Sequence, residues 1–155
     1  MSTDLATSDS AAMLERVVVG GDLSRLAPAE RMMYYKQVCE SVGLNPLTRP
    51  FDYLTLSGKM VLYAKRDATD QLRKIHGVSI QKLEKDRFDD LFVVTAYAKD
   101  AKGREDSSTG AVSIKGLTGD MLANAIMKAE TKAKRRVTLS ICGLGLLDER
   151  SEDVV

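Results

Sequence analysis

Apolar positions along this chain change their spacing several times, and each change marks an element. In APAERMMYYKQVCESVGL, residues 27–44, Met32, Tyr35, Val38, Cys39 and Val42 recur at helical spacing. Pro28 suits the first helical turn and Gly43 supplies a stop, so this run predicts a helix. Pro46 and Pro50 then impose extended backbone. FDYLTL and KMVLYA read as strands joined by a tight Ser57-Gly58 turn. KRDATDQLRKIHG returns to helical spacing, with Ala68, Leu72 and Ile75 facing a core and Gly77 closing the helix. VSIQKLE, DLFVVTAYAKD and EDSSTGAVSI are strand-like, the last two linked by the hairpin turn DAKG, and Asp89-Asp90 fits a turn before a strand. A long helix is expected from about Asp120, with that residue as its cap. The upstream run AAMLERVVVGGDLSRL fits a short helix or a strand, closed by Gly20-Gly21.

The order is helix, two strands, helix, three strands, long helix. It predicts an α+β domain: an antiparallel β-sheet with a β-hairpin packed on a long C-terminal helix. Residues 1–25 are expected to be a flexible N-terminal segment, 26–147 a single domain, and 148–155 an acidic flexible tail.

Composition narrows function mainly by exclusion. The chain has 155 residues and a net charge of +1, so any polyanion binding must come from uneven charge placement. One histidine, His76, cannot build a two-histidine zinc site, and next to Gly77 it reads as a helix C-terminal residue. No Walker loop or G-x-G-x-x-G is present, so no cofactor is expected and an enzyme is disfavoured. No apolar run reaches the ~20 residues of a membrane span, and the start MSTDLATSDS is not a signal peptide. Cys39 and Cys142 have no metal spacing and are expected as reduced, buried thiols of a cytoplasmic protein.

The candidate chemistry lies in NAIMKAETKAKRRVTLSICGLG, residues 124–145. At about 100° per residue, Lys128, Lys132, Arg135 and Arg136 share an arc of roughly 100°. Leu122, Ile126, Ala129, Ala133 and Val137 occupy the adjoining arc and predict the packing face. Lys134 points elsewhere, four residues after Glu130, with which it can pair. The stripe fits either a solvated basic face or a surface that holds phosphates. A second cationic group, Lys59, Lys65, Arg66, Arg73 and Lys74, flanks the junction of strand and helix, where Arg66 and Asp70 form an i,i+4 pair. Tyr53 and Tyr63 fit either sheet packing or stacking on exposed bases. Met32, Met33 and Met127 read as core filler, and Asp148, Glu149, Glu152 and Asp153 as carboxylates without fixed geometry for a metal.

Two segments carry a family resemblance. GLNPLTRPFDYLTLSGKMVLYAKRDATDQLRKIHG resembles the opening of phage RecT/Beta-type single-strand annealing proteins, with a G-L-[ND]-P motif between a helix and the strands. DAKGREDSSTGAVSIKGLTGDMLANAIMKAETKAKRRVTLSICGLG is similar to the eukaryotic recombination-mediator annealing proteins, which carry a K/R-rich helix ending in a Ser-hydrophobic-Gly run. The match spans roughly residues 40 to 147. It implies a sheet and hairpin packed on a long helix, assembled as homo-oligomeric rings or helical filaments on DNA. It places Arg135 and Arg136 in an inner DNA groove, joined by Arg66 and its neighbour Lys65. Annealing proteins usually continue past this core into a region that contacts a partner, whereas this sequence stops at Val155.

The function these readings imply is ATP-independent binding of single-stranded DNA and annealing of complementary strands in phage recombination. The partners would be single-stranded DNA, the annealed duplex intermediate, other copies of the chain, and a host single-strand-binding protein or phage exonuclease. The alternatives are a scaffold protein whose basic helix docks an acidic partner, and a metal-dependent nuclease using the terminal carboxylates.

Overall fold

The structure is a computed structural model describing residues 2–148, with side chains from residue 11 onward. The chain is α+β with two separate antiparallel sheets, and it forms two compact units that divide after Tyr63. The division falls inside the span expected as one domain.

The first unit contains helix α1, Ser2–Gly20, helix α2, Pro28–Val42, and a hairpin of β1, Phe51–Leu56, and β2, Lys59–Ala64, whose last residue begins the second unit. α1 occupies the segment expected to be flexible, and it settles the run around Val17–Val19 as helix. Alanines through this stretch favour helix, and Met13 is buried. α2 has the bounds its periodicity indicated: Pro28 opens it, Glu30 Oε1 accepts from the Ala27 N–H at 2.9 Å, and Gly43 closes it at φ 80°. Arg16 of α1 pairs with Glu30. Ser57 and Gly58, at φ 52° and 77°, form the two-residue hairpin turn. The Tyr35 hydroxyl joins α2 to β1 by donating to the Phe51 carbonyl at 3.0 Å and accepting from its N–H at 3.1 Å. Met32 and Met33 are exposed rather than core filler. Cys39, further along the same helix, is fully buried.

Asp22 ties the hairpin to the chain before α2. Its carboxylate accepts from the Ser24 hydroxyl at 2.6 Å, the Met60 N–H at 2.9 Å and the Ser24 N–H at 3.0 Å. These donors, Ser24 first, hold its pKa down to about 2. A depressed folded pKa gives stability that is present above the unfolded value and lost as pH falls through the folded one. The stability difference between wild type and Asp22→Asn should therefore shrink between pH 4 and pH 2, read by urea melts across that window.

The second unit, Ala64–Asp148, carries helix α3, Arg66–His76, three strands and helix α4, Gly119–Ile141. β3, Ser79–Phe88, β4, Leu91–Lys99, and β5, Glu105–Ser113, form an antiparallel sheet in that order, with one bulge between Ile80 and Lys82. Period-two burial along β4 explains the sheet's sidedness: Val94, Ala96 and Ala98 are buried, while Thr95 and Tyr97 alternate to the other face. The buried row meets Ala129, Ala133, Val137 and Ile141 of α4, the packing face read from the sequence. Ala68 and Leu72 of α3 are buried as expected, but Ile75 is half exposed. α4 begins one residue earlier than expected, after Thr118, and Asp120 lies within its first turn instead of capping it.

β5 and α4 run past each other in opposite directions. Asp106 Oδ2 accepts from the Ser140 hydroxyl at 2.6 Å, the Thr109 carbonyl accepts from Arg136 Nη1 at 3.3 Å, and Gly110 lies against Ala129 and Ala133. A Cβ at Gly110 would fall 2.6 Å from the Ala133 nitrogen and 2.7 Å from the Ala129 oxygen. Glycine is required there because strand backbone meets helix backbone. This close approach sets α4 on the sheet, and with it the direction in which each cation points.

Candidate nucleic-acid interface

α4 carries its cations on two flanks, not on one stripe. Lys132 and Arg136 face the β5 side: the Lys132 Cβ abuts Gly110, and Arg136 reaches the Thr109 carbonyl. Lys128, on the same arc, is exposed. Lys134 and Arg135 face α3 and line a groove of about 290 Å³ between the two helices. Arg66, Thr69, Asp70 and Arg73 form its α3 wall. Met127, Glu130 and Thr131 complete the α4 wall, which accounts for the exposure of Met127.

The groove is held in shape by hydrogen bonds inside its walls. Arg73 donates from Nη1 to Thr138 Oγ1 at 2.8 Å, and its Nη2 pairs with Asp70. Thr138 is fully buried and donates to the Lys134 carbonyl at 2.7 Å. Arg66 Nε stands 3.8 Å from Asp70 Oδ2, as its i,i+4 spacing indicated, with 71% of its side chain exposed. Glu130 pairs with Lys85 of β3 at 2.7 Å, not with Lys134. Four cations thus face two carboxylates, and both carboxylates are already engaged by arginine or lysine.

Arg135 and Arg136 share one partner. Asp148 Oδ1 accepts from Arg135 Nη1 at 2.6 Å, and Oδ2 accepts from Arg136 Nε at 3.0 Å. The Arg135 side chain is only 4% exposed, that of Arg136 31% and that of Asp148 10%. The tight turn after α4, with Gly143 at φ 72° and a short 3-10 segment Gly145–Leu147, folds Asp148 back onto the helix. Asp148, weighed in the sequence as one member of a loose carboxylate group, is thus a two-arginine acceptor. Glu149, Glu152 and Asp153, the other members, lie outside the described residues.

The structure brings together Arg66 and Arg135, two of the residues grouped by resemblance, and adds Lys134 and Arg73. Lys65 precedes α3 at its N-cap position and does not line the groove. Tyr53 and Tyr63 belong to the first unit. The Tyr53 ring lies 6.0 Å from that of Tyr35, and its hydroxyl donates to the Arg31 carbonyl at 3.0 Å. That packing is the sheet reading of Tyr53. Partial burial pushes its hydroxyl pKa up.

Two features missed in the sequence had signals there, one in the groove and one at the β5–α4 contact. Thr131 and Thr138 are small polar residues seven positions apart, on one stripe of α4, as expected of a face apposed to another helix. The isolated glycine within EDSSTGAVS was the available signal for the close backbone approach at Gly110. The Lys85–Glu130 and Asp148 pairings had no local signal. Among the described residues, no helix is long and apolar enough to cross a membrane. Comparison with protein-family models and with curated proteins finds no match for this chain.

Proposed function

We propose that this chain binds single-stranded DNA through the α3–α4 groove and promotes annealing of complementary strands without ATP. The observation that carries this reading is the meeting of Arg66, Arg73, Lys134 and Arg135 in one groove of a chain whose net charge is only +1. Local cation excess of this kind attracts a polyanion where bulk charge does not. Arg66 and Lys134 would contact phosphates from opposite walls. Arg73 and Arg135, tied to Asp70 and Asp148, would hold those walls in place and supply field. Phosphate contacts carry no sequence information, so base pairing between strands would supply specificity.

The resemblance to annealing proteins supports the same reading, since Arg66 and the Lys134–Arg136 run come from its two matching segments. Two directly contacted phosphates per chain give weak binding, so useful affinity requires several copies along one strand. A homo-oligomeric ring or filament is part of the proposal, as are a phage origin, action in the bacterial cytoplasm, and partnership with a single-strand-binding protein or exonuclease.

A scaffold role would use the same groove for an acidic peptide, and it predicts no affinity for DNA. The nuclease alternative loses one of its four carboxylates, because Asp148 has an arginine on each oxygen. The test is a mixture of complementary dye-labelled oligonucleotides with the purified chain and no nucleotide. Faster annealing than in buffer, with particles larger than a monomer on DNA, is the expected result. Annealing at the buffer rate by a folded protein would refute the proposal.

A further inference from the structure

We propose that Asp148 is a built-in competitor for the phosphate that Arg136 would bind, so that this carboxylate sets the strength of DNA binding on that flank of α4. The inference rests on the single-strand-binding reading above. Its basis is the fork itself: two neighbouring guanidinium groups converge on the two oxygens of one carboxylate. A phosphodiester offers two equivalent oxygens to the same donors, and arginine favours both anions for the same geometric reason.

The two arginines differ in a way that decides which one exchanges. Arg135 is buried with its carboxylate, and parting the two would break a buried ion pair. Arg136 is partly exposed and has a second hold on the protein through the Thr109 carbonyl. It can pass from Asp148 Oδ2 to a phosphate while Asp148 stays on Arg135, so no buried charge is left unpaired. Asp148 is itself fixed: its N–H donates to the Gly145 carbonyl at 3.1 Å, and the preceding Leu147 is buried. Because one anion replaces another on Arg136, the net gain from that contact is small in the native chain. It becomes large when Asp148 carries no charge.

The test is a double-mutant cycle on binding of a dye-labelled oligo-dT across several salt concentrations, with folding checked by thermal melts. Asp148→Asn should tighten binding about tenfold, the scale of one charge-assisted hydrogen bond. It should also steepen the salt slope by about 0.7, one single-strand phosphate contact. Asp120→Asn, which removes an exposed carboxylate elsewhere on α4, controls for charge alone and should change affinity by about twofold or less. Arg136→Ala should weaken the native chain only about twofold but the Asp148→Asn chain about tenfold. Equal effects of Arg136→Ala in both backgrounds, or an Asp148→Asn gain no larger than that of Asp120→Asn, would overturn the inference. If Asp148→Asn does not fold, the Arg136 Nε–H resonance of the native chain decides. A shift on saturation with oligo-dT, with Arg135 unmoved, supports exchange, and no shift overturns it. A native chain that binds no oligo-dT at any salt would overturn the annealing reading itself, and this inference with it.

Discussion

Gly110→Val should unfold the second unit or lower its stability by about 3 kcal/mol or more, at the upper end of overpacking costs. The expected signature in a thermal melt is a fall of well over 10 °C, given about 4–8 °C per kcal/mol for a unit of this size. The atoms a new Cβ would meet are the Ala133 nitrogen and the Ala129 oxygen. Helix backbone cannot step aside as a flexible side chain can. Relief would require α4 to lift from β5, separating Val94, Ala96 and Ala98 from Ala129, Ala133 and Val137. The same movement would break the Arg136–Thr109 and Ser140–Asp106 hydrogen bonds. Gly110→Ala should show a smaller loss of the same kind. A melt unchanged by Gly110→Val would mean that β5 and α4 are not in the close register described.

Reversing charge at Arg66 and Lys134, two of the four groove cations, should remove DNA binding without removing the fold. Arg66→Glu combined with Lys134→Glu should weaken oligo-dT binding by more than about a hundredfold, since each lost charged contact is worth on the order of 1.5 kcal/mol or more. Arg66 is mostly exposed, and its ion pair with Asp70 is a helix-surface pair worth a few tenths of a kcal/mol. Lys134 lines the groove, and among the described residues it forms no ion pair that its replacement would break. The fold should therefore survive, as read by circular dichroism. Removing Arg135 and Arg136 together, the natural choice from the sequence, is a poorer probe. It would break the buried pair of Arg135 with Asp148, at a cost of about 3–5 kcal/mol, and confuse folding with binding.

What the sequence made legible was whatever local chemistry determines. Gly43, Gly77 and Gly103 all take positive φ at the ends and turns where they were expected, and Ser57-Gly58 closes the first hairpin. The burial of Ala129, Ala133 and Val137 followed from helical spacing alone. What failed depended on contacts distant in sequence. Ile75 has the right spacing on α3, yet it stays half exposed. Lys134 was set aside because Glu130 lies four residues before it, but Glu130 turns to Lys85, 45 positions upstream on β3. A helix wheel showed one stripe of cations because angles alone do not reveal neighbours. α3 on one side and β5 on the other divide that stripe, and Asp148 takes its two arginines. The resemblance groups Arg66 with Arg135 and Arg136, whereas Arg136 lies on the β5 flank, outside the groove lining. The structure keeps Arg135 there and adds Lys134.

The central claim, that the α3–α4 groove holds the phosphates of a single strand, is tested most directly by the salt dependence of binding. The slope of log K against log salt for oligo-dT should fall by about 1.4 from the native chain to Arg66→Ala with Lys134→Ala, two phosphate contacts at about 0.7 each. An unchanged slope in a folded double variant would contradict the claim.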